Sequence, residues 1–252
     1  LTNNAGSTIN FTGGGLAITT TSGTGFNATG GATGISVTGT GNFIDTTSGI
    51  GLNVNATTIA AAGLTFQRIN SGAGANVGIS LDTTGNLGGL TVTGTGAAAS
   101  GGTISGKTGA DGSTTSGIGI YLNSTSNVSL ARLQLNTFDN SAITGRNVNN
   151  FQLTDSVMNG VIGNNTGQTE GAINFGVSNP GGINGLTGTG LIRNTKVSGS
   201  IEHNLEFYNQ SGTLTLNIEG VNPVSEGANP NSAGDDTADC SVDSNSTTGG
   251  SD

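Results

Sequence analysis

The feature that most constrains this chain is a stretch written twice. Residues 127–136 (Asn-Val-Ser-Leu-Ala-Arg-Leu-Gln-Leu-Asn) align without a gap on residues 150–159 (Asn-Phe-Gln-Leu-Thr-Asp-Ser-Val-Met-Asn). Asn meets Asn at both ends, and Val128, Leu130 and Leu135 meet Phe151, Leu153 and Met158, while the polar positions drift. A repeat that keeps only its alternating apolar places is a repeat of shape, and it signals a solenoid whose units bury their apolar faces by stacking on one another. The same frame is expected upstream: Thr58 to Ile69 is laid on Asn127 to Phe138, pairing Ile59 with Val128, Leu64 with Leu133, Phe66 with Leu135 and Ile69 with Phe138.

A start signal, Gly or a small residue before Ile and alternating apolars, recurs at Gly49-Ile50, Gly78-Ile79, Gly117-Ile118, Ala142-Ile143 and Ala172-Ile173, and as Asn204-Leu205. The spacing varies by insertion. Gly96 to Ser116 is read as an excursion that still holds a strand at Gly102-Thr103-Ile104-Ser105-Gly106. Shorter phrases such as Gly34-Ile35-Ser36-Val37 alternate with period two, the pattern of a strand with one buried side. With 47 Gly, 3 Pro and no Trp among 252 residues, and no 3.6-residue apolar stripe, almost no helix is expected.

These observations predict an all-β fold, a right-handed parallel β-helix with about three short strands per coil. Coils at about 4.8 Å spacing, roughly eight or nine of them, make a rod about 40 Å long. The whole of 1–252 is expected to be a single β-helix segment of a longer chain, with 222–252 an acidic Gly/Ser/Asn-rich loop region at its end. Three local expectations follow from the frame. Arg132, Asp155 and Asn194 form an outward column on successive coils. Asn127 and Asn150 bond as an inward corner ladder. Terminal coils without caps expose unpaired backbone edges, so the segment is expected to stack end to end with its own chain or with identical subunits.

Charge narrows the partners. The formal charge is −9, with six basic residues scattered along the chain. Nucleic acid is therefore not an expected partner, since binding it needs concentrated positive charge. No apolar run has the length of a membrane span, so no membrane insertion is expected in this segment. Cys240 is the single cysteine, which leaves no disulfide framework. The dense acidic cluster, Asp235, Asp236, Asp239 and Asp243, is a candidate calcium site set against a solvated loop; no other cofactor is expected. The Glu202-His203 pair is read as a corner without catalytic role, and Glu170, Glu206, Glu219 and Glu226 as scattered.

Gly63-Leu64-Thr65-Phe66-Gln67, Gly89 to Gly96, Ser126-Asn127-Val128-Ser129-Leu130 and Ser211 to Leu216 resemble phrases of the β-helical repeat regions of large bacterial surface and secreted proteins. Their architecture is similar to that of autotransporter passengers and the pectin-lyase-like superfold. That resemblance implies an extracellular or cell-surface location and a role in adhesion or display, with glycans or other surface proteins as partners. Gly234-Asp235-Asp236 resembles the paired aspartates of polygalacturonase-like enzymes, but their Gly-His-Gly and Arg-Ile-Lys companions are absent. The function expected is a structural or adhesive segment, a filament or fibre component without catalysis of its own. The alternative is a carbohydrate-active enzyme, a lyase or glycosidase, or a glycan-binding module on the same scaffold. The two differ in whether three or more carboxylates and a basic residue converge in one outer groove.

Overall fold

The computed structural model describes residues 1–165, 170–176, 183–220 and, as backbone, 241–242. No helix occurs among the described residues. Three strands make each turn of the chain. The first turn holds β1 (Thr8–Phe11), β2 (Ala17–Thr20) and β3 (Phe26–Thr29); the second holds β4 (Gly34–Val37), β5 (Phe43–Thr46) and β6 (Leu52–Asn55). The third holds β7 (Ile59–Phe66), β8 (Arg68–Ser71) and β9 (Val77–Asp82). The fourth holds β10 (Leu90–Val92), β11 (Gly102–Lys107) and the front half of β12 (Ile118–Ala131). The back half of β12 opens the fifth turn, followed by β13 (Leu133–Phe138) and the front of β14 (Ile143–Thr154). Then come the back of β14, β15 (Val157–Ile162) and β16 (Ile173–Phe175), and after them β17 (Leu186–Arg193), β18 (Lys196–Val197) and β19 (Leu205–Phe207). The eighth turn has β20 (Leu214–Glu219) and β21 (Ser241–Val242).

Every third strand pairs in parallel with its predecessor. This gives face 1 (β1, β4, β7, β10, β12, β14, β17, β20), face 2 (β2, β5, β8, β11, β13, β15, β18, β21) and face 3 (β3, β6, β9, β12, β14, β16, β19). Face 2 is an 8-stranded sheet; faces 1 and 3 join through the long strands β12 and β14. The fold is a parallel β-solenoid.

The register explains why the apolar frame survives in the sequence. Phe26, Leu52, Ile79, Ile120, Ile143, Ile173 and Leu205 lie level on successive turns of face 3. They form one wall of a continuous core that also takes in Leu64, Leu90, Leu130, Leu153 and Ile192 of face 1 and Ile44, Ile69, Leu135 and Met158 of face 2. Stacking like on like lets each apolar group shed water against the next turn, at about 25 cal/mol per Å² of apolar surface. Size is traded where needed. Gly145 leaves the room that the Phe175 ring occupies, and Phe175 stacks on Phe207 with centroids 5.6 Å apart.

The twice-written decamer stacks as its alignment predicts: Val128 on Phe151, Leu130 on Leu153 and Leu135 on Met158. The upstream frame is corrected. Leu64 lies level with Leu90, and Thr91 with Ser129, so Leu64 answers to Val128, and Phe66 to Leu130 rather than to Leu135. A bulge is the reason. Ile35 pairs with Ile59 but Val37 with Leu64, and the extra residues, Ala61 and Ala62 among them, stand out into solvent. An outward alanine insertion carries no apolar signature that would betray the shift. The start signal is also two residues out at Ile50 and Ile118, because Leu52 and Ile120 hold the shared level. Gly102 to Gly106 is a strand, as expected, but it belongs to face 2 within a complete turn. The added length of that turn lies in two loops, 93–101 and 108–117.

Corners carry the remaining sequence logic. Between faces 3 and 1, Gly30, Ala56, Thr83, Ser124 and Asn147 occupy one corner with φ of 93°, 46°, 56°, 48° and 51°. Between faces 1 and 2, Gly94, Arg132, Asp155 and Asn194 share one left-handed corner on successive turns. Left-handed backbone costs a non-glycine residue about 1–2 kcal/mol, a cost that bonds along the corner help to offset. Asn42, almost fully buried, shows the inward version: its side chain accepts from Leu16 N at 2.9 Å and donates to Thr65 O at 3.0 Å, tying three turns together.

Candidate functional site

Most outward polar side chains are spent on their own neighbours. Asn10 bonds Ser36 at 2.7 Å, Asn53 donates to Asn27 at 2.8 Å, and Asn123 donates to Asp82 at 2.8 Å. The expected Arg132, Asp155 and Asn194 column is present. Arg132 Nη2 lies 3.3 Å from Asp155 Oδ2, and Asn194 Nδ2 donates to Asp155 Oδ1 at 2.6 Å. Asn150 donates to Asn127 at 3.0 Å, but this ladder stands on the outside, with Asn127 exposed, and the inward placement is corrected. Both Asn residues have left-handed φ, which turns their side chains out of the core. A stronger ion pair has no counterpart in the sequence frame: Arg68 grips Asp45 through two bonds, at 2.6 and 3.1 Å, and lies 4.0 Å over the Phe43 ring. Its guanidinium holds the Asp45 carboxyl below the usual carboxylate range. Phe43 and Arg68 are level on adjacent turns, a relation visible only once the register is known.

Face 3 carries a built cleft. Loop 108–117 hangs over it and is pinned on both sides. Gly109 N donates to Asp139 Oδ2 at 2.9 Å, and Asn140, almost fully buried, donates to Ala110 O and Ser116 O and accepts from Gly112 N. Beneath the loop lies a cleft of about 140 Å³ lined by Ser113, Thr114, Asn140, Ser141, Thr144, Arg146 and Asn174, with Ile118, Gly112 and Gly176 completing it. Tyr121 sits under the loop and bonds Thr114; burial first, then the charge of Asp82, pushes its phenol up.

At the far end of face 3 the structure gathers acids that look scattered in the sequence. Glu170 N donates to Glu202 Oε2 at 2.6 Å, and Asp111, Glu202 and Glu206 are close enough to influence the same group of carboxyls. The gathering has a simple cause: Glu170 and Glu202 each precede their level partners Ile173 and Leu205 by the same step, so they share a corner on adjacent turns. That equal offset from the start signal is the clue that could have placed them. Burial raises both Glu170 and Glu206. Glu170 Oε2 accepts from Asn164 N at 2.7 Å and Asn165 N at 3.3 Å, while Oε1 is buried with no bond among the described residues. His203 stands beside Glu206 at the same corner, and its carbonyl accepts from Ala172 N.

Four carboxylates, Glu170, Glu202, Glu206 and Asp111, therefore gather with His203 beside Glu206, and none of them lines the cleft that Arg146 enters. No group of three metal-ligating side chains able to hold an ion occurs among the described residues. The candidate calcium ligands Asp235, Asp236, Asp239 and Asp243, with the rest of the acidic stretch at 222–240 and 243–252, lie outside the described residues. Compared with known proteins, the chain matches no family model, no curated protein and no solved structure.

Proposed function

We propose that this chain is a structural and adhesive segment of an extracellular, bacterial surface protein, a course of a longer β-helical rod without catalysis of its own. The observation that carries the reading is the open first turn. β1 and β2 pair on one side only, with β4 and β5, while β3 pairs with β6 and meets the Leu1 backbone on its other edge, where Thr29 N donates to Leu1 O and the Leu1 amine donates to Asn27 O. Ile9, Phe11, Leu16 and Ile18 there remain only partly covered, although their equivalents on later turns are sealed. Phe11 and Leu16 border an opening of about 390 Å³ at that end. Unpaired parallel strands over uncovered apolar side chains are a template for another turn, supplied by the same chain or by an identical subunit stacked end to end. The outward ladders support the same reading, since polar groups bonded along the rod favour a durable surface over a reactive one.

Sedimentation velocity over a range of concentrations tests it, comparing the parent with Phe11→Lys, which places a charge on the open end. The parent is expected to associate into rods and the variant to sediment as a single chain. A parent that stays monomeric throughout would count against stacking. Release of reducing or unsaturated ends from polysaccharides would favour the carbohydrate-active alternative, for which the Glu170, Glu202 and Glu206 group is the nearest source of acids.

A further inference from the structure

Arg146 differs from the two paired arginines of this acidic chain, and also from Arg193, which has no ion pair among the described residues but is exposed on face 1. Arg68 and Arg132 are each matched to an aspartate. Arg146 has no carboxylate within ion-pair distance among the described residues, and no acid lines the cleft it enters. The neighbouring carboxylates are already engaged: Asp82 by Asn123, Asp111 by Asn165, and Asp139 by the amide of Gly109. The other polar walls are hydroxyls and amides, Ser113, Thr114, Ser141, Thr144 and Asn174, and the roof is held rigid by Asn140. A guanidinium presents a planar fork of donors suited to carboxylate, sulfate and phosphate oxygens. Hydroxyls and amides around it suit a ligand that carries hydroxyl groups of its own. A site with its donors fixed in advance binds at low ordering cost.

We propose that the cleft under loop 108–117 binds an oxyanion, a sulfate or carboxylate group borne by a sugar, with Arg146 as the anchor and the surrounding hydroxyls and amides reading the ring. At about 140 Å³ the cleft holds the anionic group and part of one ring rather than a stretch of polymer, so the site takes a terminal or branching sugar. The sugar, as distinct from the anion, rests on the adhesive reading given above.

Isothermal titration calorimetry at constant ionic strength tests it with galactose 6-sulfate, galactose and inorganic sulfate as probes. Galactose 6-sulfate is expected to bind the parent, and galactose to bind at least tenfold more weakly. Arg146→Gln is expected to lose at least tenfold in affinity for the sulfated sugar, and Arg146→Lys to keep part of it, with thermal melts unchanged in both. Equal binding by parent and Arg146→Gln, or no heat with any probe, overturns the site. Heat with inorganic sulfate alone overturns the sugar. Phe11→Lys separates the two readings. If it sediments like the parent while binding persists, stacking fails and the site stands; if rods form and no probe binds, the site fails and stacking stands.

Discussion

Lys107 offers the sharpest test of how this solenoid is held together. It ends β11 with no exposed surface, level with Phe138 on the next turn. Its ammonium donates to Gly72 O at 2.5 Å and Asn76 Oδ1 at 2.8 Å, with Gly49 O at 3.4 Å, and no carboxylate pairs with it among the described residues. Burial lowers its pKa from 10.5 to about 8. Between those values the unfolded chain holds a proton that the folded chain has released, so stability must rise with pH across this window and level off above it. At about 1.36 kcal/mol per pKa unit, the full span is worth about 3 kcal/mol. Raising the pH from 7 to 9.5 recovers about 2 kcal/mol of it, or about 1 where the interior relaxes around the buried ammonium. Replacing Lys107 with Met removes the titration and leaves three oxygens short of a donor, a cost of about 1–3 kcal/mol. That offsets the relief at pH 7, so the two proteins should be similar in stability there. Urea unfolding followed by circular dichroism, for parent and Lys107→Met at both pH values, isolates the residue, because Tyr121 and other groups cancel in the difference. The parent should gain on the variant by about 1–2 kcal/mol as pH rises. A gap that stays constant, or moves the other way, refutes the reasoning.

The corner columns and the buried acids make further predictions. Asp155→Ala removes the Arg132 pair and the Asn194 bond and puts Ala at a φ of 51°, so a loss of about 1–2 kcal/mol in chemical denaturation is expected. Asp155→Gly, which accepts that backbone freely, should lose less; an Ala variant as stable as the parent would mean the ladder contributes nothing. Glu170, whose carboxyl burial raises, contributes stability below its ordinary value near 4.5 that is lost as pH rises through the folded value. Glu170→Gln should therefore melt at or above the parent temperature at pH 7 and show a flatter profile from pH 4 to 7. A variant that melts well below the parent would show that the charge itself is required.

Much of this was legible in the residues because a solenoid repeats its inward chemistry. Wherever an apolar position fed the core, as at Val128 and Phe151 or Leu135 and Met158, the alignment and the coordinates agree. Even the outward column of Arg132, Asp155 and Asn194 followed, because a corner fixes the same offset from the core on each turn. The frame failed where an insertion points outward. Ala61 and Ala62 of β7 stand in solvent, so nothing in their pattern marks the bulge.

The sequence by itself determined the class of fold, through period-two apolar positions recurring at coil length. It also determined the absence of concentrated positive charge. The tertiary structure alone decided which side chains from distant turns meet: Arg68 with Asp45, Glu170 with Glu202, and the burial of Lys107 among carbonyls of other turns. It also decided that Arg146 faces a roofed cleft instead of an acid. The physical reason is that the core demands similar residues at similar places and so writes itself into the sequence. Polar contacts between turns depend on insertion lengths summed around each coil, which no local pattern records.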